Sequence, residues 1–379
     1  MSFLEYRVKL APTGLRKILY LNWPLVLLVT AVASVGFLML YSIAGGNLDT
    51  WARPQMERFG VGMVLMFMVA LTPIWFWRSM SGVAYIVAFL LLIVVEFFGT
   101  VGMGAQRWID LGFIRLQPSE MMKFTLVMLL AVYYDWLDPK LVSRPLYVLL
   151  PVLMIVTPTV LVLMQPNLGT SLMLLLAGGT VMFAAGVSLW YFGAVIALVV
   201  GTVTAVISSE GTPWQLLHDY QYKRIHTFLD PAADPLGAGY NIIQAKIALV
   251  SGGWSGKGFM QGTQSRLNFL PEKHTDFIFT TLAEEFGFIG AFSLLGLYAL
   301  ILGFCLVAAW QNRDRFSALL IIGVAANFFF YIAVNLSMVM GMAPVVGVPL
   351  PLLSYGGSAM MVLLVGFGLV QSAHVHRPR

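Results

Sequence analysis

The chain has 379 residues, of which 59% are hydrophobic and only 10% are charged, and its formal net charge is +5. A soluble domain carries roughly 45–50% apolar and about 25% charged residues, so this balance excludes an ordinary soluble protein and indicates a membrane protein. The basic residues are scattered between apolar segments, which argues against a nucleic-acid partner, and the single cysteine, Cys305, excludes an intrachain disulfide.

Apolar segments long enough to cross a bilayer recur along the whole chain. Because a membrane helix needs about 20 apolar residues, we predict about ten spans. They cover roughly residues 23–44, 59–77, 80–99, 119–135, 145–164, 168–187, 189–208, 276–309, 316–341 and 352–373. The predicted fold class is an all-α polytopic membrane protein with a single domain, 1–379, and one large external loop, about 209–275, between spans seven and eight. Within that loop, the apolar spacing of Tyr240–Gly253 predicts a helix on the membrane surface.

The distribution of Lys and Arg among the short loops predicts the orientation. Most of these residues precede the first span, follow the last one, or lie in loops on the same side as the N-terminus. Because basic residues near helix ends are retained on the cytoplasmic side, we expect both termini to be cytoplasmic. The large loop then faces outward.

The segment "GAQRWIDLGFIRLQPSEMMKF", Gly104–Phe124, places several charges at the start of the fourth span. Ser119 is predicted as the N-cap of that helix. Glu120 and Lys123 are three residues apart, so opposite charges can meet on one helix face. This pair either lies at the lipid headgroup level or, with Arg107, faces a polar cavity and holds a phosphate-bearing substrate.

Two further segments carry polar residues and turn signals at the same predicted side. "MQPNLGTS", Met164–Ser171, is a tight turn with Gln165 and Asn167, and turn chemistry alone can account for it. "APVVGVPLPLLSYGGSAMM", Ala343–Met361, is rich in proline and glycine at the start of the last span. Irregular backbone near membrane depth is tolerated where protein or a cavity covers it, so we predict a cavity-lining segment there.

The segment "FLPEKHTDFIFTTLAEEFG", Phe269–Gly287, places three carboxylates at the mouth of the eighth span. The apolar run Phe286–Ala309 is long enough to cross the membrane alone, so the residues before it should protrude or line an external cavity. Asp276 then lies near the helix N-terminus, either as an N-cap or as a functional carboxylate. For Glu284 and Glu285 we favour structural pairing with a basic residue.

These segments, together with "GYNIIQAKIALVSGGWSGKGFMQGTQSRLNFLPEKHTDF", resemble the SEDS family over roughly residues 104–361, and its rod-shape branch more than its cell-division branch. The resemblance implies a peptidoglycan glycosyltransferase that polymerises lipid II at the outer face of the cytoplasmic (inner) membrane during cell elongation. It also implies a class B penicillin-binding protein as partner, undecaprenyl-linked glycan as the second substrate, and a divalent cation, Mg²⁺ or Mn²⁺.

Residue by residue, the resemblance makes Asp276 the catalytic aspartate, and Glu120, Lys123 and Arg107 match the family's Glu/Lys pair and loop arginine. The resemblance does not identify the metal ligands. We expect further residues in these motifs to contact the substrate, namely Trp108, Gln117, Ser119, Gln165, Lys273, Ser354 and Ser358.

Three alternatives stay open from the residues alone. A lipid II transporter (flippase) also needs many helices and buried charge, but its central residues should lie near the bilayer midplane, whereas these lie at the external rim. A scaffold that only recruits other proteins would leave Asp276 replaceable. A member of the cell-division branch would keep the chemistry and change the cellular role.

Overall fold

The computed structural model describes residues 14–102, 105–110, 115–212, 214–215, 222, 226, 238–266 and 272–377, and these residues are predominantly helical. A short 3₁₀ helix at Gly14–Tyr20 precedes the first long helix. The helices in chain order are α1 (Trp23–Ile43), α2 (Ala52–Leu71), α3 (Ile74–Phe98), α4 (Pro118–Trp136), α5 (Pro145–Met164), α6 (Leu168–Ala184), α7 (Leu189–Ser208), α8 (Ala238–Ser251), α9 (Thr263–Arg266), α10 (Ile278–Trp310), α11 (Arg315–Val339) and α12 (Gly357–Val375).

The predicted multi-pass architecture is confirmed. Within the described ranges, seven helices are long and apolar enough to cross a membrane: α1, α3, α5, α7, α10, α11 and α12. The other three predicted spans correspond to α2 and α4, which carry charges near their first turns, and to α6, which has only 17 residues. The chain is therefore a multi-pass membrane protein. The helix predicted within Tyr240–Gly253 is present as α8.

The boundary between the second and third spans was predicted wrongly. Residues 59–77 were expected as one helix, but α2 ends at Leu71 and α3 begins at Ile74, directly after Pro73. Proline has no N–H for a helix interior, so it favours a break there. At the other end, α2 extends past its apolar run to Ala52, where Arg53 pairs with Asp49 at 3.1 Å on the exposed surface.

Helix α11 lies at the centre of the bundle. It packs against α4, α6, α10 and α12, and most of its residues are buried. Helix α7 is the opposite case, because it has no buried residue. The outer helices leave much apolar surface exposed. Such a surface suits a helix that faces lipid, because lipid tails are themselves apolar.

A small antiparallel sheet, which the sequence analysis did not predict, precedes α4. Its strands are β1 (Thr100–Gly102), β2 (Ala105–Asp110) and β3 (Arg115–Leu116), in the order β1-β2-β3. Strand β2 carries Arg107 and Trp108. The sheet thus places these two side chains at the end of the bundle where α4 begins.

Helix α10 is broken at Gly287, which has φ 66° and ψ −163°. The segment after α8 inserts its own backbone into this break and supplies the missing hydrogen-bond partners. The bonds are Lys257 N to Glu284 O (3.0 Å), Gly258 N to Glu285 O (3.0 Å), Phe288 N to Gly253 O (2.9 Å) and Ile289 N to Trp254 O (3.2 Å). The break falls where the apolar run begins, so the first turns of α10 form a separate segment, which the sequence did not predict.

Replacing Gly287 by alanine should strongly destabilise the protein. A Cβ atom there would lie 2.3 Å from the Gly256 nitrogen, and the positive φ is itself costly for an L-residue, by about 1–2 kcal/mol. We expect a melting temperature lower by several degrees in detergent. Gly296→Ala is the matched control, because it lies on the same helix and a Cβ there meets no atom within 4 Å. Equal melting temperatures for the two variants would contradict the packing described for the break.

Candidate active site

Helix α4 begins one residue earlier than its predicted cap. Its N-cap residue is Gln117 and its first residue is Pro118, so the prediction that Ser119 caps the helix is wrong. Proline is favoured at the first helical position because its missing N–H needs no partner there. Ser119 is instead buried, and its Oγ accepts a hydrogen bond from Gln117 Nε2 at 3.2 Å.

Glu120 and Lys123 form a buried ion pair with a third member on α11. Lys123 Nζ donates to Glu120 Oε1 at 2.8 Å and also to the hydroxyl of Tyr331, and that hydroxyl donates to Glu120 Oε2. The Lys123 side chain has no exposed surface. Its ammonium group also lies 4.1 Å from the centroid of the Tyr331 ring.

This geometry does not fit a solvated pair at the lipid headgroups. A pair at the headgroup level would be solvated, whereas here both charges lie inside the bundle and each is satisfied by the other and by Tyr331. Removing water from two charges costs several kcal/mol for each ion, and close pairing with additional hydrogen bonds offsets that cost. The ammonium group therefore contacts protein groups and does not line an open cavity.

The polar residues on α11 were missed by the sequence analysis. Asn327, Tyr331 and Asn335 recur every four residues, so they lie on one face of the helix. Asn327 Nδ2 donates to the carbonyl oxygens of Gly323 (3.3 Å) and Lys123 (3.5 Å). The signal was available, because three hydrogen-bonding side chains at helical spacing interrupt an otherwise apolar segment.

Asp276 lies just before α10 but does not cap it. The helix begins at Ile278 with Phe277 at the N-cap, so the N-cap interpretation is wrong. Within the described ranges, no hydrogen bond reaches the Asp276 carboxylate. Its partial burial, with a smaller contribution from the negative charge of Glu272, raises its pKa to about 6. Among the described residues the carboxylate therefore has no hydrogen-bonding partner, and its pKa is raised by burial.

The residues next to Asp276 are also partly buried. Burial lowers the pKa of Lys273 and that of His274, whose ring stacks on Trp51 with 4.1 Å between ring centroids. Trp51 also meets Tyr355 edge-on, and the guanidinium of Arg58 lies 4.9 Å from the centroid of the Tyr355 ring. An aromatic cluster thus anchors the Asp276 segment to α2 and to the loop before α12.

The loop before α12 lines a cleft, as the sequence predicted. The walls of this small cleft come from the loop, from α11 and from α12; they include Tyr331, Pro349, Ser354, Gly356 and Met360. Ser354 is buried, and its Oγ donates to the Thr275 carbonyl oxygen at 2.6 Å, so it ties the loop to the residue before Asp276. Ser358 is also buried, and its hydroxyl has no hydrogen-bond partner in the described part of the chain.

Arg107 and Gln165 hold the turn between α5 and α6. Arg107 Nε donates to the Gln165 carbonyl oxygen at 3.0 Å, and a second guanidinium nitrogen donates to the Pro166 carbonyl oxygen. Gln165 is buried, and its Nε2 donates to the Leu92 carbonyl oxygen at 3.1 Å. Partial burial lowers the pKa of Arg107. Asn167 caps α6 by accepting from Thr170 N at 3.4 Å, which is the turn chemistry considered for this motif.

Glu284 and Glu285 make structural contacts. Glu284 Oε1 accepts from Lys257 Nζ at 2.7 Å and from the Thr263 backbone N–H at 2.9 Å, so it joins a basic partner and the start of α9. Glu285 Oε1 accepts from Ser42 Oγ at 2.5 Å. Both side chains are buried. The basic partner that the sequence analysis expected for one of them is Lys257.

Three comparisons with known proteins agree with this architecture. The family model of the FtsW, RodA and SpoVE proteins, described as "Cell cycle protein", matches residues 21–379. Peptidoglycan glycosyltransferase MrdB of Escherichia coli K12 is 41% identical over 361 residues, which is 94% of each chain.

Solved structures show the same fold. A chain from a structure described as "Structural coordination of polymerization and crosslinking by a peptidoglycan synthase complex" is 32% identical, with a TM-score of 0.82, and the match covers 94% of this chain and 98% of that one. The rod shape determining protein RodA of Thermus thermophilus is 28% identical, with a TM-score of 0.69, over 95% of this chain and 98% of that one.

The buried pair should show strong coupling in stability. Lys123→Met leaves the Glu120 charge without its partner, and breaking a buried pair in this way costs about 3–5 kcal/mol. The double variant Lys123→Met/Glu120→Gln removes both charges, so we expect its loss to be well below the sum of the two single losses. Unfolding in detergent measures all four proteins of the cycle. Additive losses would contradict the pairing.

Proposed function

The chain belongs to the SEDS family of FtsW, RodA and SpoVE proteins and is a peptidoglycan glycosyltransferase, and we propose that Asp276 is the general base with which it polymerises lipid II. One observation carries this proposal. The Asp276 carboxylate lies at the end of the bundle beside the cleft-lining loop, is partly buried, and receives no hydrogen bond within the described ranges; its pKa is about 6. A general base works best when its pKa lies near the working pH, because it is then largely ionised and still binds a proton well.

The reaction is a displacement at an anomeric carbon. The Asp276 carboxylate takes the proton from the 4-hydroxyl of the GlcNAc of one lipid-linked unit, and that oxygen attacks C1 of the MurNAc at the reducing end of the growing chain. The C–O bond to undecaprenyl pyrophosphate breaks as the new glycosidic bond forms, with inversion at C1. Both substrates carry membrane-embedded tails, so binding in one groove replaces a bimolecular search by positioning.

The leaving pyrophosphate needs positive charge near it. Among the residues that the structure describes, Arg107 donates to two carbonyl oxygens and stays partly exposed, so its other guanidinium N–H groups could bind an anion. Lys123 is fully buried, so in this proposal it acts through Glu120 and Tyr331 and does not contact the substrate directly. Lys273 is the lysine or arginine nearest in sequence to Asp276 and is partly exposed.

A divalent cation, Mg²⁺ or Mn²⁺, belongs to the proposal through the family resemblance. In the described part of the chain, no three His, Cys, Asp or Glu side chains come together as a metal site. These residues therefore do not form an all-protein metal site, and the role proposed for Asp276 does not depend on the ion.

The protein works with a class B penicillin-binding protein, which carries out crosslinking, as in the peptidoglycan synthase complex that shares its fold. We assign it to the cytoplasmic membrane, with both termini inside and Asp276 outside, because the basic short loops lie on the side of the termini. The match to the rod shape determining protein supports a role in elongation.

Replacing Asp276 by Asn should abolish polymerisation while the protein still folds and binds lipid II. Loss of a general base costs on the order of 10² to 10⁴ in rate. The measurement is glycan formation from labelled lipid II by the purified chain with its penicillin-binding partner. Asp49→Asn is the control, since that aspartate is on the same predicted side and its side chain is 73% exposed. Wild-type rates from Asp276→Asn would falsify the assignment.

The same assay should depend on pH through Asp276. The base must be ionised, so kcat/KM should rise with increasing pH, with an apparent pKa near 6, and level off above it. An ordinary aspartate would place this rise near a pH of about 3.9. A rise centred near pH 4 would contradict the burial of the carboxylate.

A chelator should abolish polymerisation if the cation is required, and added Mg²⁺ or Mn²⁺ should restore it. The assay is again glycan formation by the complex. Full activity in excess chelator would remove the cation from the proposal and leave the role of Asp276 standing.

A further inference from the structure

We propose that Asn335 is a positioning residue for Asp276, holding it at a fixed place against the loop before α12. This inference rests on the proposed role of Asp276 as the base. Asn335 contacts the Asp276 backbone and not the carboxylate, so its effect on the reaction is indirect.

The Asn335 amide joins the two segments that meet at the carboxylate. Its Nδ2 donates one hydrogen bond to the Asp276 carbonyl oxygen at 2.9 Å and another to the Val348 carbonyl oxygen at 2.7 Å. An amide nitrogen has two N–H donors, so both are used. The residue before Val348 is Gly347, and a Cβ there would lie 3.6 Å from Asp276 Oδ2. One side chain therefore fixes the backbone on both sides of the carboxylate.

Asn335 is fully buried, and its Oδ1 has no hydrogen-bond partner in the described part of the chain. A buried acceptor without a partner loses its hydrogen bonds to water and is unfavourable. An apolar residue of similar size would avoid that cost but would provide no donors. The side chain is thus suited to supplying two N–H groups and poorly suited to simple filling of the core.

Helix α11 links the Asp276 segment to the buried pair, because Asn335 and Tyr331 lie on the same face of it. Tyr331 lies one turn earlier on the same helix face, where it contacts Lys123 and Glu120 and lines the cleft. A rigid helix element therefore carries the contacts to both the pair and the Asp276 segment. A displacement of about 1 Å at a catalytic group can cost on the order of 10²-fold in rate.

Several titratable groups lie near Asp276. On its own segment they are Glu272, Lys273 and His274. In the loop before α12, Tyr355 packs against His274, and Arg58 of α2 lies over the Tyr355 ring. Asn335 is hydrogen-bonded to Asp276 and to Val348 and to none of these groups, so a change in the acid limb on altering Asn335 reports on the Asp276 segment.

The test compares Asn335→Ala with wild type as the full chain in complex with its penicillin-binding partner. We expect kcat for polymerisation of labelled lipid II to fall at least tenfold, with KM changed less than threefold. We also expect the acid limb of kcat/KM to move below pH 6, because a released carboxylate becomes more solvated. Asn335→Leu keeps the side-chain size, removes both donors without adding a charge, and is the second variant if Asn335→Ala does not fold; its kcat should fall in the same way.

Asn327→Ala is the matched control, since Asn327 is equally buried on the same helix and its Oδ1 also has no hydrogen-bond partner among the described residues. It should lose comparable stability and leave the acid limb in place. The inference is overturned if Asn335→Ala keeps kcat within twofold of wild type, or if both variants shift the limb equally. If Asp276→Asn is inactive while Asn335→Ala is normal, only this inference fails; if Asp276→Asn is active, the proposed function fails first.

Discussion

The structure depends on satisfying backbone carbonyl groups at helix ends without water. In hydrocarbon, an unpaired backbone group costs several kcal/mol, and every interruption of a helix creates such groups. The chain meets this requirement with side-chain amides and guanidinium groups that donate to carbonyl oxygens of other elements. The donating side chains and the residues whose carbonyl oxygens accept are Gln55 to Ser354, Gln165 to Leu92, Asn312 to Ala373, Arg315 to Leu137 and Ala185, and Gln371 to Asn22.

The proposed site follows from the same requirement. Helices α4, α6, α10 and α12 begin at one end of the bundle, so irregular segments accumulate there, and each needs donors from a neighbour. Asn335 supplies them for the Asp276 segment, and Arg107 supplies them for the turn after α5. Groups that make irregular backbone tolerable also place a carboxylate beside a cleft. Stability and chemistry are served here by the same contacts.

The sequence predicted the helices well because hydrophobic length alone determines a membrane span. It failed where charge and backbone chemistry override hydropathy, as at Pro73, and at Ser119, where the proline before it takes the first helical position. Pairing of Glu120 with Lys123 followed from their spacing, but Tyr331 lies 208 residues from Lys123 and no local pattern connects them. Contacts of this kind arise from tertiary packing. Sequence spacing can predict contacts between residues of one helix, but not contacts with a residue of another helix.

The backbone insertion at Gly287 also bears on how the chain is assembled. Residues 253–258 donate to and accept from the broken turn of α10, and they precede it in the sequence. During synthesis, the partners of the break are therefore made before the break itself. The carbonyl groups of Glu284 and Glu285 therefore bind to a segment that already exists when this part of α10 is synthesised.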